Sequence, residues 1–140
     1  MIVLINPNST EAMTQSMLQT ARAVAPDLDI QGWTSHDGPP SIQGREDGQA
    51  AAQPLLALVQ KASDAGARCI IIACFDDTAL PEARALALCP VIGIGQAAYH
   101  LAAVAGERFS VVTTLDVSVP ILRENILAYG LEHAVDEVCA

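Results

Sequence analysis

Two short, unbroken aliphatic runs constrain this chain more than anything else in it: MIVLIN at residues 1–6 and RCIIIAC at residues 68–74. A strand with one wet face alternates apolar and polar residues. A strand that stays apolar at successive positions is covered on both faces, as in a parallel sheet between helices. Similar but weaker runs predict strands over 29–34, 91–94 and 109–113. Between them, helical periodicity predicts helices over 10–24, 49–65, 78–88, 96–105 and 119–129. Pro26, Gly106 and Gly130 supply the stops. Asn8 with Glu11 has the spacing of a capping box for the first helix, and Pro54 is placed to kink the second. Residues 35–48 are rich in Gly, Pro, Ser and Asp and read as a long loop after a strand, the kind of segment that carries function. The tail, 131–140, is weakly patterned, and no strand is predicted in it.

Strands alternating with helices predict a doubly wound α/β architecture with a mostly parallel sheet. The pattern hints at two related units. VLINPNST at 3–10 is a buried strand ending in small polar groups before a helix, and VVTTLDVS at 111–118 is built the same way.

The charge balance narrows the partners. A formal net charge of -9, with no run of Lys or Arg, makes nucleic acid and anionic membrane surfaces poor partners. The longest apolar stretch, 69–75, is too short to span a bilayer, and the N-terminus lacks the pattern of a signal peptide. A cytoplasmic protein is expected, in which Cys69, Cys74, Cys89 and Cys139 stay reduced. No CxxC or His-rich spacing is present, so no metal site is expected.

In doubly wound sheets, ligands sit beyond the carboxyl ends of the strands. Cys74 falls there, before a turn and a helix start. Its thiol can face a cleft, where nearby backbone N–H groups lower its pKa and favour the thiolate, or it can pack in the core as free cysteines often do. Cys69, at the opposite end of the same strand, and Cys89, in a helix-to-strand turn, read as structural. Asn6, Asn8, Thr113 and Thr114 also end strands, where they either donate to a carboxylate or imide oxygen or cap helices. Ser41 and Ile42 follow the rigid Gly38-Pro39-Pro40 turn, which either presents a hydroxyl and amides to a ligand or is a plain surface turn. Asp76 and Asp77 are expected to cap the following helix, with Asp76 also able to orient a substrate. Gly93-Ile94-Gly95 is a GxG after a strand, but it lacks the third glycine and the acidic residue of a dinucleotide site. None of His36, His100 and His133 has an identifiable carboxylate partner. A phosphate-binding protein would need a convincing glycine-rich loop, and none is present.

Five stretches fall into one ordered pattern: INPNST at 5–10, GPPSIQG at 38–44, IIACFDD at 71–77, PVIGIGQAA at 90–98 and FSVVTT at 109–114. Together they resemble the hydantoin/allantoin branch of the aspartate/glutamate racemase superfamily, in register as far as YGL at 129–131. The resemblance implies a flavodoxin-like racemase half and a mechanism without cofactor or metal. In it, two cysteines, one from each pseudo-symmetric domain, flank the chiral carbon. One removes the acidic proton as thiolate and the other returns a proton to the opposite face. This accords with what inversion requires, an acid and a base on opposite faces within reach of neutrality. By the family pattern Cys74 is the first catalytic cysteine, and Asn6, Ser41, Ile42, Phe75, Thr113 and Thr114 line the substrate pocket.

The family pattern continues to a second strand with a Gly-Cys-Ala-Gly-like motif, which this sequence lacks; Cys139 has no such context. By analogy, residues 1–95 form the first domain and 96–140 the opening of an incomplete second α/β unit. That implies an exposed apolar sheet face or edge, and hence a homo-oligomer or partner-chain contact. Two outcomes are open for a small-molecule substrate: racemisation with a second cysteine from elsewhere, or a catalytically incomplete domain that folds or binds without turnover.

Overall fold

The computed structural model describes residues 1–140. Four strands, β1 (Ile2–Asn6), β2 (Ile30–Thr34), β3 (Cys69–Ile72) and β4 (Val91–Gly93), form a parallel sheet in the order β2-β1-β3-β4. Helices α1 (Glu11–Val24), α2 (Arg45–Asp64) and α3 (Leu80–Leu86) connect them. Then follow α4 (Ile94–Gly106), β5 (Phe109–Val112), α5 (Val119–Ala128) and β6 (Val135–Cys139). β5 and β6 pair in parallel as a second, two-stranded sheet. This is the α/β, mostly parallel architecture that the aliphatic runs imply.

The unbroken run in β1 has a direct explanation. Val3 and Ile5 pack with Leu55 and Val59 of α2 and Leu80 and Ala83 of α3. Leu4, on the opposite face, packs with Leu18 of α1, Ile30 and Ala73. Strand side chains alternate between faces, so a strand covered twice must be apolar throughout. A third cluster, Tyr99, Val111, Leu122, Ile126, Leu131 and Val138, holds β5 and β6 against α4 and α5.

Three sequence expectations are corrected. The tail is ordered: β6 occupies Val135–Cys139, because Val138 inserts beside Val111 while polar neighbours face outward. A two-residue apolar signal among acidic residues is too short to read alone. Helix α2 starts four residues earlier than periodicity suggests, at Arg45, and runs through Pro54 without interruption. Gly44, at φ 86°, turns the chain into it, and the Asp47 carboxylate reaches back to accept the Gln43 N–H at 2.9 Å. The capping box fails because the first residue of α1 follows Thr10, and the Asn8 side chain instead accepts the Thr10 N–H at 3.0 Å. No helix is long and apolar enough to cross a membrane.

Candidate active site

The carboxyl ends of β1 and β3 open on a cleft of about 390 Å³ lined by fifteen residues, among them Cys74, Phe75, Ser41, Ile42, Thr113 and Thr114. These come from three separate stretches: the loop after β3, the loop before α2, and the end of β5. Asn8 also lines the cleft, with Asp76 and Ser118 as further polar groups. The apolar wall is Met13, Met17, Ile94, Leu115 and Ala73. The lining contains no Lys, Arg or His; its one charged side chain is Asp76.

Asn6 is not on the lining. It is fully buried beneath it, and its Nδ2 donates to Asn8 Oδ1 at 2.9 Å, Thr14 Oγ1 at 3.1 Å and the Thr10 carbonyl at 3.2 Å. The strand-end asparagine holds the following asparagine in place. Gly38 shapes the opposite lip. A Cβ there would lie 2.5 Å from the Pro7 carbonyl oxygen, so only glycine lets the Ser35–Ser41 loop close over the start of the β1–α1 turn.

Cys74 is half-buried, and burial pushes its thiol pKa up. The Asp76 backbone N–H and the Thr78 hydroxyl both donate to the sulfur, the latter at 3.7 Å, and each favours the thiolate. The carboxylates of Asp76 and Asp77 oppose them. Sequence reasoning expected backbone N–H groups to lower this pKa. They act in that direction but are outweighed by desolvation, which is invisible before the walls of the site are known. Cys69 also has a raised pKa, through burial first and then the proximity of Cys89. Cys89 packs against the first core, and neither Cys69 nor Cys89 lines the cleft. Cys139 ends β6 outside it.

Asp77 departs furthest from expectation. It does not cap α3. Its buried carboxylate crosses to the start of α4, where Oδ1 accepts the Gly95 N–H at 3.0 Å and Oδ2 the Gln96 N–H at 2.6 Å. Oδ2 also accepts the Tyr129 hydroxyl at 2.8 Å. The GxG is the seat of this carboxylate. A Cβ on Gly93 would lie 2.1 Å from Asp77 Oδ1, and one on Gly95 2.3 Å from the Phe75 carbonyl oxygen. Burial raises the Asp77 pKa while these donors pull it back. The neighbouring Asp76 carboxyl is raised by burial and then by Asp77. Sequence reasoning did not single out Tyr129; its only signal was a place in the YGL stretch.

Known proteins resemble this chain along nearly its whole length. The family model described as Asp/Glu/Hydantoin racemase matches residues 2–140. A hydantoin racemase of Rhizobium meliloti is 41% identical over 140 residues, covering 99% of this chain and 58% of that protein. A hydantoin racemase of Pseudomonas sp. (strain NS671) is 33% identical over 135 residues, covering 96% of this chain and 54% of that protein. Among solved structures, an allantoin racemase from Klebsiella pneumoniae superposes with a TM-score of 0.96 at 40% identity, over 99% of this chain and 57% of that one. The chain thus spans a little over half the length of these relatives. On the family match and the identity to its relatives, it belongs to the Asp/Glu/hydantoin racemase family.

Proposed function

We propose that this chain carries one face of a racemase site that inverts the stereocentre of a hydantoin, allantoin or related amino-acid derivative, with Cys74 as the acid/base group on that face. The observation that carries the reading is the convergence of Cys74 with Ser41, Thr113 and Thr114 on one cleft at the strand ends. A carbon acid beside a carbonyl needs a base at the C–H and hydrogen-bond donors at the oxygen that gains charge. The thiolate supplies the first, and the hydroxyls and loop amides supply the second. An uncharged imide-like ring suits a lining whose only charge is one carboxylate; a free amino-acid carboxylate would want a cation there. In this mechanism Cys74 Sγ takes the proton from the stereocentre, the electron pair moves onto the carbonyl oxygen, and a proton is returned from the opposite side. Cys74 is the one cysteine on the lining, so the group that returns the proton is not another cysteine of this lining. The chemistry needs no cofactor. Residues 1–95 act as the first domain and 96–140 as the opening of the second, in a cytoplasmic protein whose four thiols stay reduced.

The test is proton NMR of an enantiopure 5-substituted hydantoin in D2O, followed together with optical rotation. Exchange of the ring C–H in excess of that seen with Cys74→Ser is the expected result. Loss of rotation alongside exchange identifies a complete two-base site; exchange with rotation retained identifies a site working on one face. Exchange no faster than with Cys74→Ser refutes Cys74 as the base. That Cys74 is the one cysteine on the cleft lining favours one second reading, a domain that binds ligand without turnover. That reading predicts saturable chemical-shift changes at the Thr113 and Thr114 amides without exchange.

A further inference from the structure

We propose that Asp77 is the positioning residue of the Cys74 loop: seated on the α4 N-terminus and bonded to Tyr129, it holds in place the two groups that donate to the Cys74 sulfur. The proposal rests on Cys74 being the acid/base group, and it adds the device that sets its geometry.

Residues 74–80 make a tight turn in which the Asp77 N–H donates to the Cys74 carbonyl at 3.0 Å and the Leu80 N–H to the Asp77 carbonyl at 3.1 Å. Asp77 and Ala79 both adopt the left-handed region, at φ 49° and 50°. Non-glycine residues rarely occupy that region, and two in one turn need outside restraint. The restraint is the Asp77 side chain. Its two oxygens receive three donors from two other elements, Gly95 and Gln96 of α4 and Tyr129 after α5. The neighbouring Asn125 side chain donates to the Asp76 carbonyl at 2.8 Å, a second tie to the same turn.

What is held matters chemically. The donors to the Cys74 sulfur are the Asp76 N–H and the Thr78 hydroxyl, the residues immediately before and after Asp77. Fixing Asp77 fixes both. The glycines of the GxG leave room for the carboxylate itself, since a Cβ at either 93 or 95 would clash with it. The first turn of α4 therefore spends its free N–H groups on an internal anion. An amide cannot substitute. Both oxygens accept N–H groups, so in Asp77→Asn the side-chain NH2 must face a backbone donor.

The positioning role and simple electrostatics predict opposite signs. Asp77 is a negative charge near the sulfur. Removing it with nothing else changed eases thiol ionisation. Removing it and releasing the turn takes away both sulfur donors and makes ionisation harder. The charged and titratable groups around the turn are Asp76 on the turn, Arg84 of α3, Tyr99 of α4 and Tyr129 after α5. None of these is altered in Asp77→Asn.

The experiment is iodoacetamide alkylation of the intact chain from neutral to alkaline pH, with each cysteine read separately by peptide mass spectrometry. It needs no turnover, so it stands or falls apart from racemase activity. In Asp77→Asn the Cys74 profile is expected to move to higher pH, with a rate at fixed pH lower by about tenfold, one unit of pKa. Cys69, Cys89 and Cys139 are expected to keep their rates. Tyr129→Phe, which keeps the charge and removes one donor, is expected to shift Cys74 in the same direction by less. Faster or unchanged alkylation of Cys74 in folded Asp77→Asn overturns the proposal. So does a parallel acceleration of all four cysteines, which marks general loosening. If Asp77→Asn does not fold, Tyr129→Phe decides, and an unchanged Cys74 profile there overturns it.

Discussion

At the scale of single residues, the site is a contest between burial and hydrogen bonds around a few polar atoms. Cys74 shows the outcome. Two donors favour its thiolate, and desolvation with two nearby carboxylates disfavours it more. A folded-state pKa above the unfolded value means that the group's contribution to stability is fully present below the unfolded pKa and is lost as pH rises through the folded one. Wild type is therefore expected to lose stability above about pH 8.5, where a free thiol ionises, partly through Cys74. Cys74→Ser is expected to show a shallower alkaline decline, measured by denaturant melts across that range. Gly93 is a second decisive position. With a Cβ 2.1 Å from Asp77 Oδ1, Gly93→Ala must displace the carboxylate. A clear fall in melting temperature is expected, larger than for Gly48→Ala, where a Cβ meets open space.

At the scale of elements, β1 illustrates how the runs translate into layers. Its two faces serve different helices, α2 and α3 on one side and α1 on the other. Leu55→Ala in α2 and Leu4→Ala in β1 empty opposite layers, and each is expected to cost about 2–5 kcal/mol in chemical denaturation. If either change were nearly neutral, one face of the sheet would be wet and the layer assignment wrong. The helix starts are less regular than the strands. None of the five α-helices has a side-chain N-cap bond from its own N-cap residue. α4 instead borrows the carboxylate of Asp77 from seventeen residues before its start at Ile94. That arrangement ties the β3–α3 turn to the helix that leads away from the first sheet.

At the scale of the whole molecule, two sheets share one cleft. Phe75, Tyr99 and Tyr129 form an aromatic bridge between them, with Phe75 edge-on to Tyr99 at 5.3 Å and Tyr129 6.3 Å from the Tyr99 ring. Arg45 and Glu124 add an ion pair with two contacts, at 2.7 and 2.9 Å, between α2 and α5. Both partners are well exposed, so it orients more than it stabilises. Apolar surface remains in view: Leu101 and Val104, one turn apart on α4, are 70% and 86% exposed, and Val112 of β5 is 76% exposed. Substituting Leu101 and Val104 together by Lys is expected to leave the melting temperature nearly unchanged, because neither is buried. It is also expected to lower concentration-dependent association in sedimentation velocity. Unchanged association would show that this face does not mediate it.

The sequence alone determined the layer architecture, because apolar periodicity is a local property that a strand buried on both faces cannot hide. It also showed which strand ends carry polar groups, Cys74, Thr113 and Thr114 among them, while their assignment to a substrate pocket, with that of Ser41, came from the family resemblance. It did not reveal β6, whose apolar signal is two residues long, or the start of α2, which depends on a glycine with positive φ. The hydrogen-bond partners of Asn6, Asp77 and Tyr129 emerged only in three dimensions. Asn6 and Asn8 are two residues apart and look equivalent in the chain, yet one is buried as a strut and the other faces the cleft. Asp77 looked like a local helix cap, and its true partners lie eighteen, nineteen and fifty-two residues away. Hydrogen bonds of that span leave no periodic trace in a sequence. The sign of the Cys74 pKa shift was decided the same way, because desolvation depends on every wall of the site at once and no single stretch of chain encodes it.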